Sequence, residues 1–206
     1  EKYVPHIWEQ NAITASYLLT SKAYGDLETL ISFAKQGKNF EIIELARSGQ
    51  ESLDLAFLFL ESNQEANLAN WFRGEIIPNR VAREALHNAI NSQSSNLESL
   101  PMYDVKTYIY GIYSLYTHSS YSALLDTIDV FHEDYDFSGI SGYHYTLKNL
   151  DIAIDNLVVS LLLSIKNVNL KQQNLKGVND ADELLKQMGN QFATQEEIDK
   201  ALEQFK

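Results

Sequence analysis

Tyr110, Tyr113, Ser114 and His118 place two phenols, a hydroxyl and an imidazole within one short stretch of chain. Ser114 and His118 stand four residues apart, so on a helix they are neighbours, with the two phenols close by. A serine nucleophile would also need a sharply presented hydroxyl and an oxyanion hole, and neither is signalled. More simply, His118 is a buried or half-buried histidine held by hydrogen bonds, or else one that contacts a ligand together with the other three. A second pair, Arg47 and Glu51, is also four apart on one helical face. Its plain reading is a surface ion pair; if the face is covered, it becomes a desolvated element that is costly to leave unpaired.

A third pair, Arg80 and His87, is separated by six residues and so by two helical turns, which projects both side chains to the same side. All four arginines, Arg47, Arg73, Arg80 and Arg83, fall in one third of the chain. Arginine is the side chain suited to bidentate contact with a carboxylate or phosphate, which makes a local anion site conceivable in this acidic protein. The plainer reading is that Arg80 and Arg83 solvate the outer face of their helix.

Two family resemblances rest on these residues. The spacing of Arg80 and His87 resembles the R-x4-6-H signature of the HEPN superfamily, whose ribonucleases are helical bundles that pair the motif across a homodimer and cut RNA without metal. That resemblance implies that His87 acts on the 2′-hydroxyl or leaving group and that Arg80 steadies the scissile phosphate. The sequence departs from the pattern at Val81, where those enzymes commonly carry a polar residue. More broadly, Arg47-Ser48-x-x-Glu51-Ser52, Trp71-x-x-Gly74 and Tyr110-x-x-Tyr113-Ser114-x-x-x-His118-x-Ser120 are similar to the ordered pattern of an uncharacterised family of helical bacterial proteins, some of them found near abortive-infection genes. This similarity covers about residues 40–125 and implies a fold and an interior polar site, without an activity.

Metal chemistry finds little support. Asp134-x-Asp136-x-Ser138-Gly139 looks like the first half of a calcium loop, but Tyr145 stands where the bidentate acid belongs. His6, His87, His118, His132 and His144 show no zinc-protease spacing, and the single Glu-x-x-His, Glu84 to His87, falls short of the two that a di-iron bundle needs. No cysteine is present, which removes disulfides and thiolate ligands together. No metal and no cofactor is therefore expected, and a reducing cytoplasm is the expected setting.

The elements that must position these residues are helical. The chain has 206 residues, 45% hydrophobic, with nine glycines and three prolines, a balance that favours long helices around a substantial core. The expected fold is all-α, a multi-helix bundle over residues 1–170 with a buried central helix, followed by a polar connection and a short C-terminal helix over 171–206. A net charge of −12 opposes nonspecific nucleic-acid binding, so RNA enters only through the ribonuclease alternative. The longest apolar run, Leu53 to Leu60, is interrupted by Asp54 and is too short to cross a membrane. The N-terminal residues do not read as a signal peptide.

In order, the periodicity predicts a helix from His6 to about Tyr24, a break or kink at Gly25-Asp26, and a continuing stripe to Lys35. The next helix, about Phe40 to Glu61, is apolar nearly all round and is the candidate central helix. A short helix ends at Gly74, and another covers about Pro78 to Asn91. Pro101 opens the tyrosine helix, with Val105, Tyr108, Ile109, Ile112, Leu115 and Tyr116 as one stripe, and Ser120 caps a further helix to about Phe131. The acidic stretch 132–142 reads as a loop, 143 to about 170 as a long helix, and Thr194 with Glu197 as the capping box of a last one. The expected role is binding of a partner or small ligand through an interior polar cluster, Arg47, Glu51, Tyr110, Tyr113, Ser114 and His118, with the HEPN-type ribonuclease as the alternative.

Overall fold

A computed structural model describes residues 9–36, 38–61, 63–93, 110–111, 113–114, 128–129, 134–135 and 144–189. Within them the protein is an all-α bundle of six helices: α1 (Ala12–Ala34), α2 (Asn39–Leu60), α3 (Glu65–Phe72), α4 (Asn79–Gln93), α5 (His144–Lys171) and α6 (Leu175–Gly189). A two-residue antiparallel ladder pairs Ile128–Asp129 with Asp134–Tyr135. The helix expected to reach Phe131 therefore does not extend through Ile128. A β-branched residue followed by aspartate is a weak helix former and gives way to the ladder.

Helix α1 starts at Ala12, later than the periodicity suggests, because Asn11 caps it: its side-chain oxygen accepts from the Thr14 N–H at 2.8 Å. Ala15, Leu19, Ala23, Leu27 and Leu30 form its buried stripe. The expected break at Gly25-Asp26 is absent. The apolar stripe stays in register across these residues, and burying it outweighs the roughly 1 kcal/mol that a mid-helix glycine costs. Asp26 pairs instead with Lys22 at 2.7 Å, one turn back, and Lys22 also donates to Ser48 Oγ on α2 at 2.7 Å.

Helix α2 is the centre of the bundle. Ile42, Ile43, Ala46, Leu53, Ala56, Leu58 and Phe59 are each 2% exposed or less, and they point around the whole helix. One side, with Tyr113, packs against Leu27 and Leu30 of α1 and Ala153, Leu157 and Leu161 of α5. The C-terminal part of the helix packs against Ala15, Leu19, Ala82 of α4 and the aromatic pair Trp71–Phe72 of α3. Small polar groups knit the helices where they approach closely. Ser16 Oγ donates to the Ala56 carbonyl at 2.9 Å, and Thr20 and Ser164 share a hydrogen bond at 2.7 Å. At Gly49 the backbone comes so near α5 that an added Cβ would stand 2.8 Å from Leu157 Cδ1.

Gly74 ends the α3 turn at a φ of 84°, the left-handed conformation expected of a helix-terminating glycine. Beyond α5 the chain reverses through Gln173, and the Asn174 side chain accepts from the Gly177 N–H at 3.3 Å. What reads in sequence as a polar connection after residue 171 is thus helix α6, packed on α5. Val178 and Ala181 anchor it and Lys166 reaches Asp182 at 2.6 Å, whereas Leu184 is half exposed. Two buried small side chains and an ion pair suffice to dock a helix whose composition is mostly polar. The C-terminal helix expected from Thr194, the chain before residue 9 and most of the tyrosine helix lie outside the described residues. No helix among the described residues is long and apolar enough to cross a membrane.

Candidate functional site

Arg47, Gln50, Glu51 and Asp54 recur on α2 at the i, i+3, i+4, i+7 positions of a single helical face. Three other elements close over that face. Helix α5 brings Asn156, α4 brings Arg83, and the helical residues at 110–111 and 113–114 bring Tyr110 and Tyr113.

A chain of hydrogen bonds runs through the result. Asn156 Nδ2 donates to Gln50 Oε1 at 2.7 Å, and Gln50 Nε2 donates to Asp54 Oδ1 at 2.8 Å. Gln50 and Asp54 are 2% and 1% exposed. Alongside, Arg47 Nε donates to Glu51 Oε1 at 2.8 Å, and this pair lies at the edge of the cluster, where its side chains are 24% and 35% exposed. Arg47 with Glu51 is therefore a half-covered pair at the lip of an interior network. The guanidinium carbon of Arg83 sits 4.1 Å from the centre of the Tyr110 ring, a cation–π contact, and Tyr110 meets Tyr113 edge to face at 5.9 Å.

The arginines differ in how they are neutralised. Arg47, Arg73 and Arg80 each have a carboxylate in range, Glu51, Glu75 and Glu84 respectively, whereas the Arg83 cation is met by an aromatic face. Arg47 Nη1, Arg83 Nε and Tyr110 Oη are all buried without a hydrogen-bond partner among the described residues. Buried donors left in that state cost on the order of 1–3 kcal/mol each.

Burial drives the Tyr110 hydroxyl well above the ordinary tyrosine value, and the carboxylates of Asp54 and Glu51 push it further; Arg83 and Arg47 only partly offset this. Tyr113 moves the same way, again mainly through burial, with its hydrogen bond to Asn156 pulling back and Asp54 adding to the rise. Above a pH of about 10 an unfolded tyrosine ionises while these two keep their protons. The unfolded state then binds fewer protons than the native one, and the folding free energy these groups contribute falls as pH rises. A spectrophotometric titration of the 12 tyrosines is expected to leave at least two phenols un-ionised while exposed ones titrate, and to release them only with loss of helical circular dichroism. Ionisation of all 12 in the folded protein in one step near pH 10 would contradict the buried placement.

Among the residues expected from sequence, Arg47, Glu51, Tyr110 and Tyr113 converge here. Ser114 is helical and half-buried one residue after Tyr113. His118 lies outside the described residues. Arg80 does not join the cluster: it is 79% exposed at the start of α4 and faces Glu84 at 3.4 Å. His87 is on the same helix, in its third turn.

Sequence reasoning missed Gln50, Asp54, Asn156 and the inward turn of Arg83, which the outer-face reading placed in solvent. Two signals were present. Asp54 interrupts an otherwise apolar run, and Arg83 has no acid at i±3 or i±4, where Arg47 has Glu44 and Glu51 and Arg80 has Glu84. Chemically, the described members offer paired donors and acceptors and no nucleophile with a base beside it, which suits recognition. No family model matches this chain, and no curated protein or solved structure matches it either.

Proposed function

We propose that this protein is a helical-bundle binding protein that holds a small polar ligand at the interior cluster on α2, in the reducing setting that its lack of cysteine suits. The observation that carries this reading is the set of three buried, unpartnered donor groups, Arg47 Nη1, Arg83 Nε and Tyr110 Oη, gathered around one aromatic ring. A folded protein leaves so few buried donors unpaired that a group of them beside a half-open ion pair is a place for something that pairs with them.

Thermal unfolding against a panel of polar small molecules tests the reading. A ligand present at about 100 times its dissociation constant adds roughly 2.7 kcal/mol, which raises Tm by several degrees for a domain of this size. That rise is expected for the wild type and is expected to be smaller in Tyr110→Phe, by about 1 kcal/mol for a several-fold loss of affinity. Equal shifts in both proteins would place the ligand elsewhere.

The HEPN-type ribonuclease is the second reading, and the exposure of Arg80 on α4 is the observation that favours it. Metal-free RNA cleavage by the purified protein that disappears in His87→Ala, with helical content unchanged, would displace the binding reading.

A further inference from the structure

We infer that the group recognised at the interior cluster is a carboxylate, received between Arg47, Arg83 and Tyr110. The inference rests on the binding reading and gives it a substrate class: a small organic monoanion with an apolar body.

Donor chemistry is the first reason. Arg47 spends Nε on Glu51 and has Nη1 free of partners; Arg83 has Nε free; the Tyr110 hydroxyl is the third. A guanidinium N–H can only donate, and no described acceptor lies within reach of these two, so the missing partner is an acceptor. Two guanidinium groups and a phenol satisfied together require a group with several lone pairs in one plane, which a carboxylate provides.

Charge balance chooses among anions. Arg47 and Arg83 bring two positive charges, and Glu51 and Asp54 bring two negative ones to the same helical face. The cluster is formally neutral before anything enters. A monoanion leaves it with one net negative charge and a dianionic phosphate with two, in surroundings where Asp54 is 1% exposed and like charges repel with little screening. Among the described residues Arg83 meets an aromatic face and no carboxylate within ion-pair range, so its charge is the one available to a newcomer. The Arg47–Glu51 pair, whose side chains are 24% and 35% exposed, gives the route in. Of the two rings, only Tyr110 keeps exposed surface, 9% against 0% for Tyr113, and so it is the ring that can meet the apolar body.

Isothermal titration with benzoate, its neutral isostere benzamide and inorganic phosphate separates the possibilities. Saturable binding of benzoate to the wild type is expected, with benzamide and phosphate each at least about tenfold weaker, the factor for one charge-assisted hydrogen bond. Arg83→Gln is expected to weaken benzoate by roughly tenfold to a hundredfold while benzamide is unchanged. Tyr110→Phe, which keeps the ring, decides the matter should Arg83→Gln fail to fold, and is expected to weaken benzoate several-fold. No saturable benzoate binding, tighter phosphate, or benzoate unaffected by either substitution overturns the inference. Benzamide binding as tightly as benzoate, and lost in Tyr110→Phe, would overturn the carboxylate assignment while leaving the binding site itself standing.

Discussion

Leu157→Ala is expected to lower the unfolding free energy by about 3 to 5 kcal/mol, the upper range for a leucine removed from a core that cannot collapse around the gap. Leu157 is fully buried on α5 and lies where that helix meets α1 and α2. The neighbouring position gives the result a sharper form. Gly49 of α2 has no room for a side chain, because an added Cβ would lie 2.8 Å and 3.3 Å from the two methyl carbons of Leu157. Those methyls belong to a fully buried side chain, so moving them aside means repacking the core around them. Gly49→Ala is therefore expected to cost about 1 to 3 kcal/mol by overpacking, although alanine is the better helix former. In the Leu157→Ala background the obstruction is gone, and the same Gly49→Ala substitution is expected to become neutral or stabilising. Urea denaturation at constant m value measures all four proteins. A coupling energy below about 0.5 kcal/mol in the cycle would mean that the two residues do not share the contact.

That contact illustrates what the sequence could and could not disclose. The stripe of α1, the all-round apolar character of α2 and the long amphipathic α5 follow from residue spacing, since a helix repeats every 3.6 residues and its buried face must repeat with it. The identity of α2 as the central helix follows in the same way. Gly25 and Gly49 show the limit. One was read as a break, because glycine and aspartate are poor in helix interiors, yet Ala23 and Leu27 keep the stripe in phase and tertiary burial prevails. Gly49 attracted no attention in sequence, because the leucine it accommodates comes from over 100 residues away. Helix α6 failed for a related reason: its anchoring rests on Val178 and Ala181, too few residues to stand out from a polar background.

The site divides along the same line. Arg47 with Glu51 is a local pair and was legible; Arg83 on Tyr110 is a contact between separate elements and was not. Amphipathic patterning assigns Arg83 to the outer face because arginine is usually solvated, and only the position of the tyrosine ring reverses that. Asn156 likewise reads as an ordinary polar position on α5 until it is seen to reach Gln50. Local ion pairs are recorded in spacing, whereas a polar cluster assembled from four elements is recorded only in how they pack.

Gln50→Leu puts that cluster to its strongest test. Gln50 is the middle of the relay, accepting from Asn156 at 2.7 Å and donating to Asp54 at 2.8 Å, and it is 2% exposed. Leucine approximates its volume, so packing changes little while both hydrogen bonds disappear. The buried Asp54 carboxylate loses one donor and the Asn156 amide loses one acceptor, and losing hydrogen bonds of these kinds in the interior costs about 1 to 3 kcal/mol each, more at the charged group. A destabilisation of about 2 to 5 kcal/mol is expected by urea denaturation. Asn156→Leu should cost less, because it leaves the hydrogen bond to the charged group in place. Since Asn156 has already lost its role in that variant, the double substitution should fall short of the sum by about 0.5 to 3 kcal/mol. If the polar relay were incidental to the fold, burying a leucine in place of an amide would be neutral or favourable, and Gln50→Leu would match or exceed the wild type. A loss below about 1 kcal/mol would thus remove the relay as the scaffold that holds Arg47 and Arg83 around Tyr110, and with it the structural basis for a preformed site.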